Sequence, residues 1–111
     1  MTEAERSYYE HNDLPPKPLP VSRATILDTA KQYVTRDRQN THGKPEDSFA
    51  RIANYWSVYL EGEVTSKDVA IMMTLLKIAR LDENPTNADN WIDACGYLAC
   101  GGEIVGSEVP R

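Results

Sequence analysis

Residues that form disulfides or bind soft metals are scarce in this sequence, which has two cysteines and two histidines among 111 residues. Cys95 and Cys100 fall five residues apart within one predicted helix. At this spacing their side chains lie on different faces, so we expect neither a disulfide nor a zinc site. We expect both to be reduced, buried small residues of a cytoplasmic protein. The cysteines and serines lack a convincing general base, so the sequence does not indicate covalent catalysis.

Excess positive charge is also absent, because 17 acidic residues outnumber 12 lysines and arginines and the net charge is −5. Phosphate binding needs a basic face, so we expect no general binding of nucleic acids. The first thirty residues lack the apolar region of a signal peptide, and we expect none. The apolar stretch at residues 65–81 is shorter than the ~20 residues that span a bilayer, so we expect no membrane partner.

The alternating pattern of β-strands is missing as well, and apolar residues recur instead at helical spacing in four segments. The sequence therefore predicts an all-α fold, a four-helix bundle in one domain. The predicted helices cover residues 23–35, 45–60, 65–81 and 88–100, the last of which ends at Gly101-Gly102. The predicted organisation is a proline-rich arm at residues 1–21, a helical domain at 22–102 and a short tail at 103–111.

The predicted helix at residues 65–81 is apolar in nearly every direction. We expect it to be buried nearly all round, as the centre of the bundle. A four-helix unit this small often completes its core by association, so we expect a homodimer or a higher homo-oligomer. On the last helix, the predicted core side consists of Trp91, Ile92, Ala94, Cys95 and Leu98.

Three groups of polar residues are candidates for a functional site, and the first lies on the last predicted helix. Asp89 and Asp93 are one turn apart on the same face, a spacing that can hold magnesium through oxygen ligands. Asp89 is also explained as a first-turn acid that complements the helix dipole. Asp93 lies beyond the capping turn, beside Tyr97, so capping does not explain it.

The second group belongs to the predicted central helix, where Asp68 lies in the first turn and Lys77 and Arg80 lie in the last two. The helix dipole alone favours this order. Charges within a bundle are costly unless paired, so the two cations either face phosphates or pair with acids. Asp68 can form one cluster with Asp93, but it lies on the opposite side of its helix from Lys77.

The third group is the polar stretch 37–43 between the first two predicted helices. It supplies donors suited to phosphate oxygens, and His42 and Gly43 precede a helix N-terminus, which favours anions. The structural alternative is a solvated loop. The residues predicted to contact a substrate, from all three groups, are Asp37, Arg38, His42, Lys77, Arg80 and Tyr97.

Several linked motifs run along residues 23–100. They are Asp37-Arg38-Gln39, His42-Gly43-Lys44-Pro45, Phe49, Asp68-Val69-Ala70, Met72-Met73, Lys77-Ile78-Ala79-Arg80, Asn84-Pro85, Asp89-Asn90-Trp91-Ile92-Asp93 and Gly96-Tyr97. Together these motifs resemble a family of small, mostly phage and prophage proteins that is described as a domain of unknown function. The chain is similar, more distantly, to phage nucleotide-modification-associated domains and to all-α nucleotide pyrophosphohydrolases of the MazG and dimeric dUTPase type.

The distant similarity implies an enzyme in which acids on two adjacent helices bind magnesium, which activates water against a nucleoside triphosphate. By position it implies Asp68 and Asp93 as catalytic acids, and Asp68, Asp89 and Asp93 as metal ligands. The hallmark of those enzymes is a Glu-x-x-Glu pair on one helix and a Glu-x-x-Asp pair on another. Here the predicted central helix has a single acid, so the full set of acids is absent.

Three functions stay open at this point. The first is magnesium-dependent hydrolysis of a nucleotide or deoxynucleotide in the host cytoplasm. The second is a binding module that sequesters a nucleotide or a nucleotide-derived signal, which the incomplete set of acids favours. The third is a phage accessory protein that binds a host protein through the proline-rich arm. We expect a nucleotide-directed role, and the resemblance supplies most of the support for it.

Overall fold

A computed structural model describes residues 22–37 and 44–108. Over these ranges the chain is all-α, and the predicted four-helix bundle is confirmed. The helices are α1 (Arg23–Gln32), α2 (Pro45–Leu60), α3 (Ser66–Glu83) and α4 (Ala88–Glu108). No helix in the described ranges has the length and apolar character needed to cross a membrane. The predicted arm at residues 1–21 lies outside the described residues, as do Arg38 and His42.

The first helix begins at a side-chain cap and ends in an unusual turn. The Ser22 hydroxyl oxygen accepts the backbone N–H of Thr25 at 3.0 Å, which satisfies one of the open donors of the first turn. After Gln32 the chain continues as a π-helical turn, Tyr33–Asp37, which contacts α4. Such turns are wider than an α-helix and often occur at functional sites. The predicted helix end at residue 35 therefore falls inside this turn.

The second and third helices have the bounds that their capping residues indicate. Pro45 occupies the first turn of α2, and the helix ends at Glu61, which adopts a left-handed φ of 54°. In the following loop, the Ser57 hydroxyl oxygen accepts the backbone N–H of Val64 at 2.8 Å. Thr65 then caps α3.

The last helix, α4, contacts every other element of the described bundle. It contacts α1, the π-helical turn, α2 and α3, and its most extensive contact is with α3. By contrast, α3 packs mainly against α2 and α4, and its opposite side is exposed. The prediction that this helix is buried nearly all round is therefore wrong. The physical reason is that two neighbouring helices cover only part of a helix surface, and the described residues place no other helix on that side.

The predicted end of α4 at Gly101-Gly102 is also wrong, because the helix continues to Glu108. A Cβ atom placed on Gly101 would lie 2.8 Å from the Cβ atom of Ala70 on α3. The missing side chain therefore allows α3 and α4 to approach closely. Beyond the glycines, Ile104 is buried in the core, and this burial favours extension of the helix.

The apolar core consists of two clusters toward opposite ends of α4. The first contains Phe49, Ala53, Val69, Ala70 and Ile104, and the second contains Ala30, Ala88 and Ile92. Ile92 is buried as predicted, but Trp91 and Leu98 are exposed, so the predicted core side of α4 is only partly correct. Asp93 and Gly96 face the interior instead. A polar residue can occupy this side because it has a buried partner on α3.

The role of Gly101 in packing predicts a difference between two neighbouring alanine substitutions. Gly101→Ala should lower the free energy of unfolding by about 1–3 kcal/mol, since the new methyl group overpacks against Ala70. Gly102→Ala is the matched control, because its Cβ would meet no atom within 4 Å. It should raise the free energy by about 0.5–1 kcal/mol through helix propensity. Urea unfolding followed by circular dichroism measures both, and equal effects would contradict the close helix contact.

Candidate functional site

A buried ion pair joins α3 to α4. Lys77 Nζ lies 3.0 Å from Asp93 Oδ2, and the two side chains are only 3% and 7% exposed. Lys77 is brought to this position by helical spacing, because Ala70 and Thr74 are buried on the same side of α3. Two charges withdrawn from water are tolerated when each has a close partner of opposite charge. Of the alternatives left open by the sequence, pairing with an acid is the one observed for Lys77.

A cavity of about 240 Å³ lies beside Asp93, between the four helices. Its walls include aromatic rings from three different elements: Tyr33 of the π-helical turn, Phe49 of α2 and Tyr97 of α4. The rings of Phe49 and Tyr97 pack with their centroids 6.3 Å apart and their planes inclined by 38°. The other lining residues are Ala30, Val34, Pro45, Ser48, Ile52, Met73, Ile92, Gly96 and Cys100.

The π-helical turn reaches the cavity because α4 has a glycine opposite it. A Cβ atom on Gly96 would lie 3.0 Å from a methyl carbon of Val34, so a larger residue there would press against the turn. Gly96 and Val34 both line the cavity. The wide turn and the glycine therefore act together to form one wall of the cavity.

The chemistry of the cavity is mainly apolar and aromatic, with a single carboxylate. Flat aromatic walls favour a planar ligand, which can stack on or pack edge-on against them. A carboxylate has about four acceptor positions, so Asp93 can accept hydrogen bonds from a ligand N–H group while it remains paired with Lys77. The arrangement is suited to hold a planar group that carries hydrogen-bond donors.

Asp68 has a structural role at the beginning of α3. In a capping box, its carboxylate Oδ2 accepts the backbone N–H of Thr65 at 2.9 Å, and the Thr65 hydroxyl oxygen accepts the backbone N–H of Asp68 at 3.3 Å. The hydrogen bond from the Thr65 backbone, followed by one from the Thr65 side chain, lowers the pKa of the Asp68 carboxyl below its ordinary value of 3.8. Asp68 precedes Lys77 by nine residues, which is roughly 13 Å along the helix.

The structure does not bring the three predicted metal ligands together. Among the described residues, no group of three or more histidine, cysteine, aspartate or glutamate side chains is placed to hold a metal ion. Asp89 and Asp93 lie one turn apart on α4 as predicted, and the backbone N–H of Asp89 donates to Asn87 Oδ1 at 3.0 Å. The metal-binding role of Asp68, Asp89 and Asp93 stays a prediction.

The other predicted substrate contacts are distributed unevenly. Tyr97 lines the cavity, and Arg80 lies half-buried one turn after Lys77. Asp37 ends the π-helical turn, but its side chain, like Arg38 and His42, lies outside the described part of the chain. Sequence reasoning did not identify Tyr33 and Phe49 as site residues. Apolar and aromatic residues at helical spacing look the same in a sequence whether they fill a core or line a cavity.

Comparison with known proteins identifies related phage sequences. The sequence model of a family described as "Domain of unknown function (DUF6378)" matches residues 25–105, which include the ion pair and the cavity. The Gene 55 protein of Mycobacterium phage L5 is 42% identical over 74 residues, which are 66% of this chain and 47% of that protein. The Gene 55 protein of Mycobacterium phage D29 is 37% identical over 76 residues, which are 68% of this chain and 50% of that protein.

The chain therefore spans about half the length of the curated relatives it matches. No solved structure matches it. Neither the family description nor the names of these relatives state an activity, so the function has to be argued from the site itself.

The buried ion pair predicts strongly coupled effects of substitution at its two ends. Lys77→Met or Asp93→Leu alone should lower the free energy of unfolding by about 3–5 kcal/mol, because each leaves a buried charge without its partner. The double variant should cost much less than the sum of the two. Urea unfolding of the four proteins of this cycle measures the coupling, and additive effects would show that the charges do not stabilise each other.

The capping role of Asp68 predicts a pH-dependent loss of stability. A lowered pKa in the folded state means that ionised Asp68 stabilises the fold at neutral pH, and that this contribution is lost as the pH falls through that pKa. Asp68→Ala should therefore lower the unfolding midpoint at pH 7, and the difference from the unsubstituted chain should shrink below pH 3.8. Thermal unfolding over this pH range is the measurement. Glu63→Ala, in the exposed loop before α3, is the control and should show no such trend.

Proposed function

This chain is a phage protein that belongs to the family of the domain of unknown function DUF6378, and we propose that it binds a nucleotide. The base occupies the cavity between the four helices, and the phosphates extend out of it. The observation that supports this proposal best is the combination of three aromatic rings with one carboxylate in the lining of one cavity. The proposed setting is the host cytoplasm, which contains nucleotide pools.

The size of the cavity favours a base over a whole nucleotide as the enclosed group. Sites that enclose complete small molecules measure about 300–1,000 Å³, and this cavity, at about 240 Å³, is slightly smaller. Nucleobases are planar, and stacking on an aromatic side chain contributes about 1–3 kcal/mol per base. Tyr33, Phe49 and Tyr97 supply such surfaces from three sides of the cavity.

The carboxylate adds a preference among bases. Asp93 has only acceptor oxygens, and carboxylates recognise the amino groups of bases, such as the exocyclic amine of cytosine. Its partner Lys77 holds the carboxylate in place beside the cavity. We expect a base with an amino group to bind more tightly than thymine, which has none.

The phosphates are proposed to lie near the beginning of α2. Pro45 and Ser48, in the first turn of α2, line the cavity, so this helix N-terminus borders it. Pro45 has no N–H, and the N–H groups of Asp47 and Ser48 donate to the Lys44 carbonyl oxygen, so cationic side chains are proposed to hold the phosphates. Lys44 precedes the helix and is exposed, as is Arg36 in the π-helical turn, and both can donate to phosphate oxygens.

Magnesium-dependent hydrolysis is the more specific version of this proposal, and the residues present do not fit the metal site expected for it. Asp93 is already paired with an ammonium group, so the charge of its carboxylate is balanced without a metal ion. Asp68 is engaged in a helix cap and lies about two and a half turns along α3 from Lys77. We therefore propose binding as the function, and hydrolysis stays a prediction for the same experiment to test.

The proposal predicts binding of nucleoside monophosphates that depends on Tyr97. Isothermal titration of the full chain with dCMP, dAMP, dGMP and dTMP should give the weakest binding for dTMP. Tyr97→Leu should weaken the binding of dCMP about tenfold, because it removes a stacking surface. Tyr59→Leu is the matched control and should bind normally, since Tyr59 lies on the outer side of α2 and is 86% exposed.

The same protein is then incubated with the deoxynucleoside triphosphates, with magnesium or with a chelator, and the products are analysed. Release of pyrophosphate with magnesium would support the hydrolytic prediction, in which Asp93 is a catalytic acid, and Asp93→Asn should then abolish turnover. Binding without turnover supports a sequestering module. No binding to any of these nucleotides would overturn the proposal and favour the remaining prediction, an accessory protein that binds a host protein.

A further inference from the structure

One side of α3 presents a continuous apolar surface to solvent. Five large apolar side chains on this side are each 38–57% exposed. They are Ile71, Met72, Leu75, Leu76 and Ile78, and together we call them the α3 outer face. Lys77 and the buried residues of α3 lie on the opposite side.

The packing of the described part of the chain leaves this surface uncovered. Single exposed apolar residues are ordinary, but contiguous patches of them mark interaction surfaces. No charged residue interrupts the chain between Asp68 and Lys77, and Lys77 points inward to Asp93. The α3 outer face is therefore charge-free across more than two helical turns, as expected for the centre of an interface.

We propose that the α3 outer face binds the same face of a second copy of this chain, with the two α3 helices antiparallel across a two-fold axis. The axis crosses the helix at the level of Thr74 and Leu75. The proposal does not depend on the nucleotide site, which lies on the other side of α3, where Met73 lines the cavity.

The order of residues along α3 suits this register. With the axis at this level, Leu75 meets Leu75 of the partner subunit, and Ile71 meets Ile78 of the partner subunit. On the other flank, Met72 lies near Leu76 of the partner subunit. Each apolar residue thus has an apolar counterpart at about the same height, which is the self-complementarity that a two-fold interface requires.

Charges at the two ends of the face favour the antiparallel direction. Lys67 lies in the first turn of α3, on the same flank as Asp82 in the last turn. In the antiparallel register, Lys67 comes close to Asp82 of the partner subunit and lies between that carboxylate and Asp68 of its own chain, and this arrangement occurs twice. A parallel arrangement would place Lys67 at the same level as its own copy, with no Asp82 near it. Lys67 Nζ lies 3.7 Å from Asp68 Oδ1 and is half exposed, so its ammonium group remains accessible at the rim.

The composition of the α3 outer face suits the centre of an interface. Five large apolar side chains per copy, with polar residues at both ends of the helix, provide the apolar centre and polar rim of such an interface. The same face of a second copy is itself a complementary apolar surface, so no other protein is needed to cover it.

The test is the oligomeric state of the full 111-residue chain, measured by sedimentation velocity over a range of concentrations. The unsubstituted chain should form a dimer. Leu75→Glu should be monomeric, since it places two carboxylates at the two-fold axis. Leu27→Glu is the matched control and should remain dimeric, because Leu27 is an exposed leucine on α1, which packs against α4. Circular dichroism confirms that each variant is folded.

Reversal of the rim charges tests the direction. Lys67→Glu alone and Asp82→Lys alone should each raise the dimer dissociation constant about tenfold, because each creates two like-charge contacts. The double variant should restore the original value. Failure of the double variant to do so would overturn the antiparallel register.

Two other outcomes would overturn the proposal as a whole. If the unsubstituted chain is monomeric and Leu75→Glu lowers its unfolding midpoint, another part of the chain covers the face. If the chain is monomeric and Leu75→Glu leaves its stability unchanged, the face is available to bind a different protein. Nucleotide binding by Leu75→Glu separates this result from the proposed function, because the cavity is untouched by the substitution.

Discussion

The buried contact between Lys77 and Asp93 determines how the rest of the bundle can be arranged. It lies on the long α3–α4 contact, between the two apolar clusters, and separating the two charges within the bundle would leave each buried without the other. The pair fixes which sides of α3 and α4 face each other. The polar side of α4 therefore faces the interior, and a carboxylate lies in the wall of an otherwise apolar cavity.

The same orientation of α3 separates two surfaces with different properties. Its inner side carries Lys77 and Met73 toward the ion pair and the cavity. Its outer side carries a row of large apolar residues that no helix within residues 22–37 and 44–108 covers. A helix that is apolar in nearly every direction can thus contribute one side to the core and the other side to an interface with a second molecule. Its apolar residues need not all be buried within one subunit.

Local signals in the sequence predicted the helices well. Ser22, Pro45 and Thr65 mark helix starts through caps and fixed backbone angles, which act within a few residues. Tertiary contacts decided what local signals could not. Gly101 indicated a helix end but instead allows close packing against Ala70, and capping did not explain Asp93 because its partner lies on another helix. The cavity depends on three rings that are distant in the chain, so spacing alone did not reveal it.

We propose that the cavity beside the Lys77–Asp93 pair is the ligand site of this protein. The most direct test is an NMR titration of the isotope-labelled chain with dCMP, with assigned backbone amides as probes. If nucleotides bind there, the largest chemical-shift changes should occur at residues that line the cavity, such as Ser48, Gly96 and Tyr97. Shifts confined to the outer side of α3, or no shift at saturating nucleotide, would contradict it.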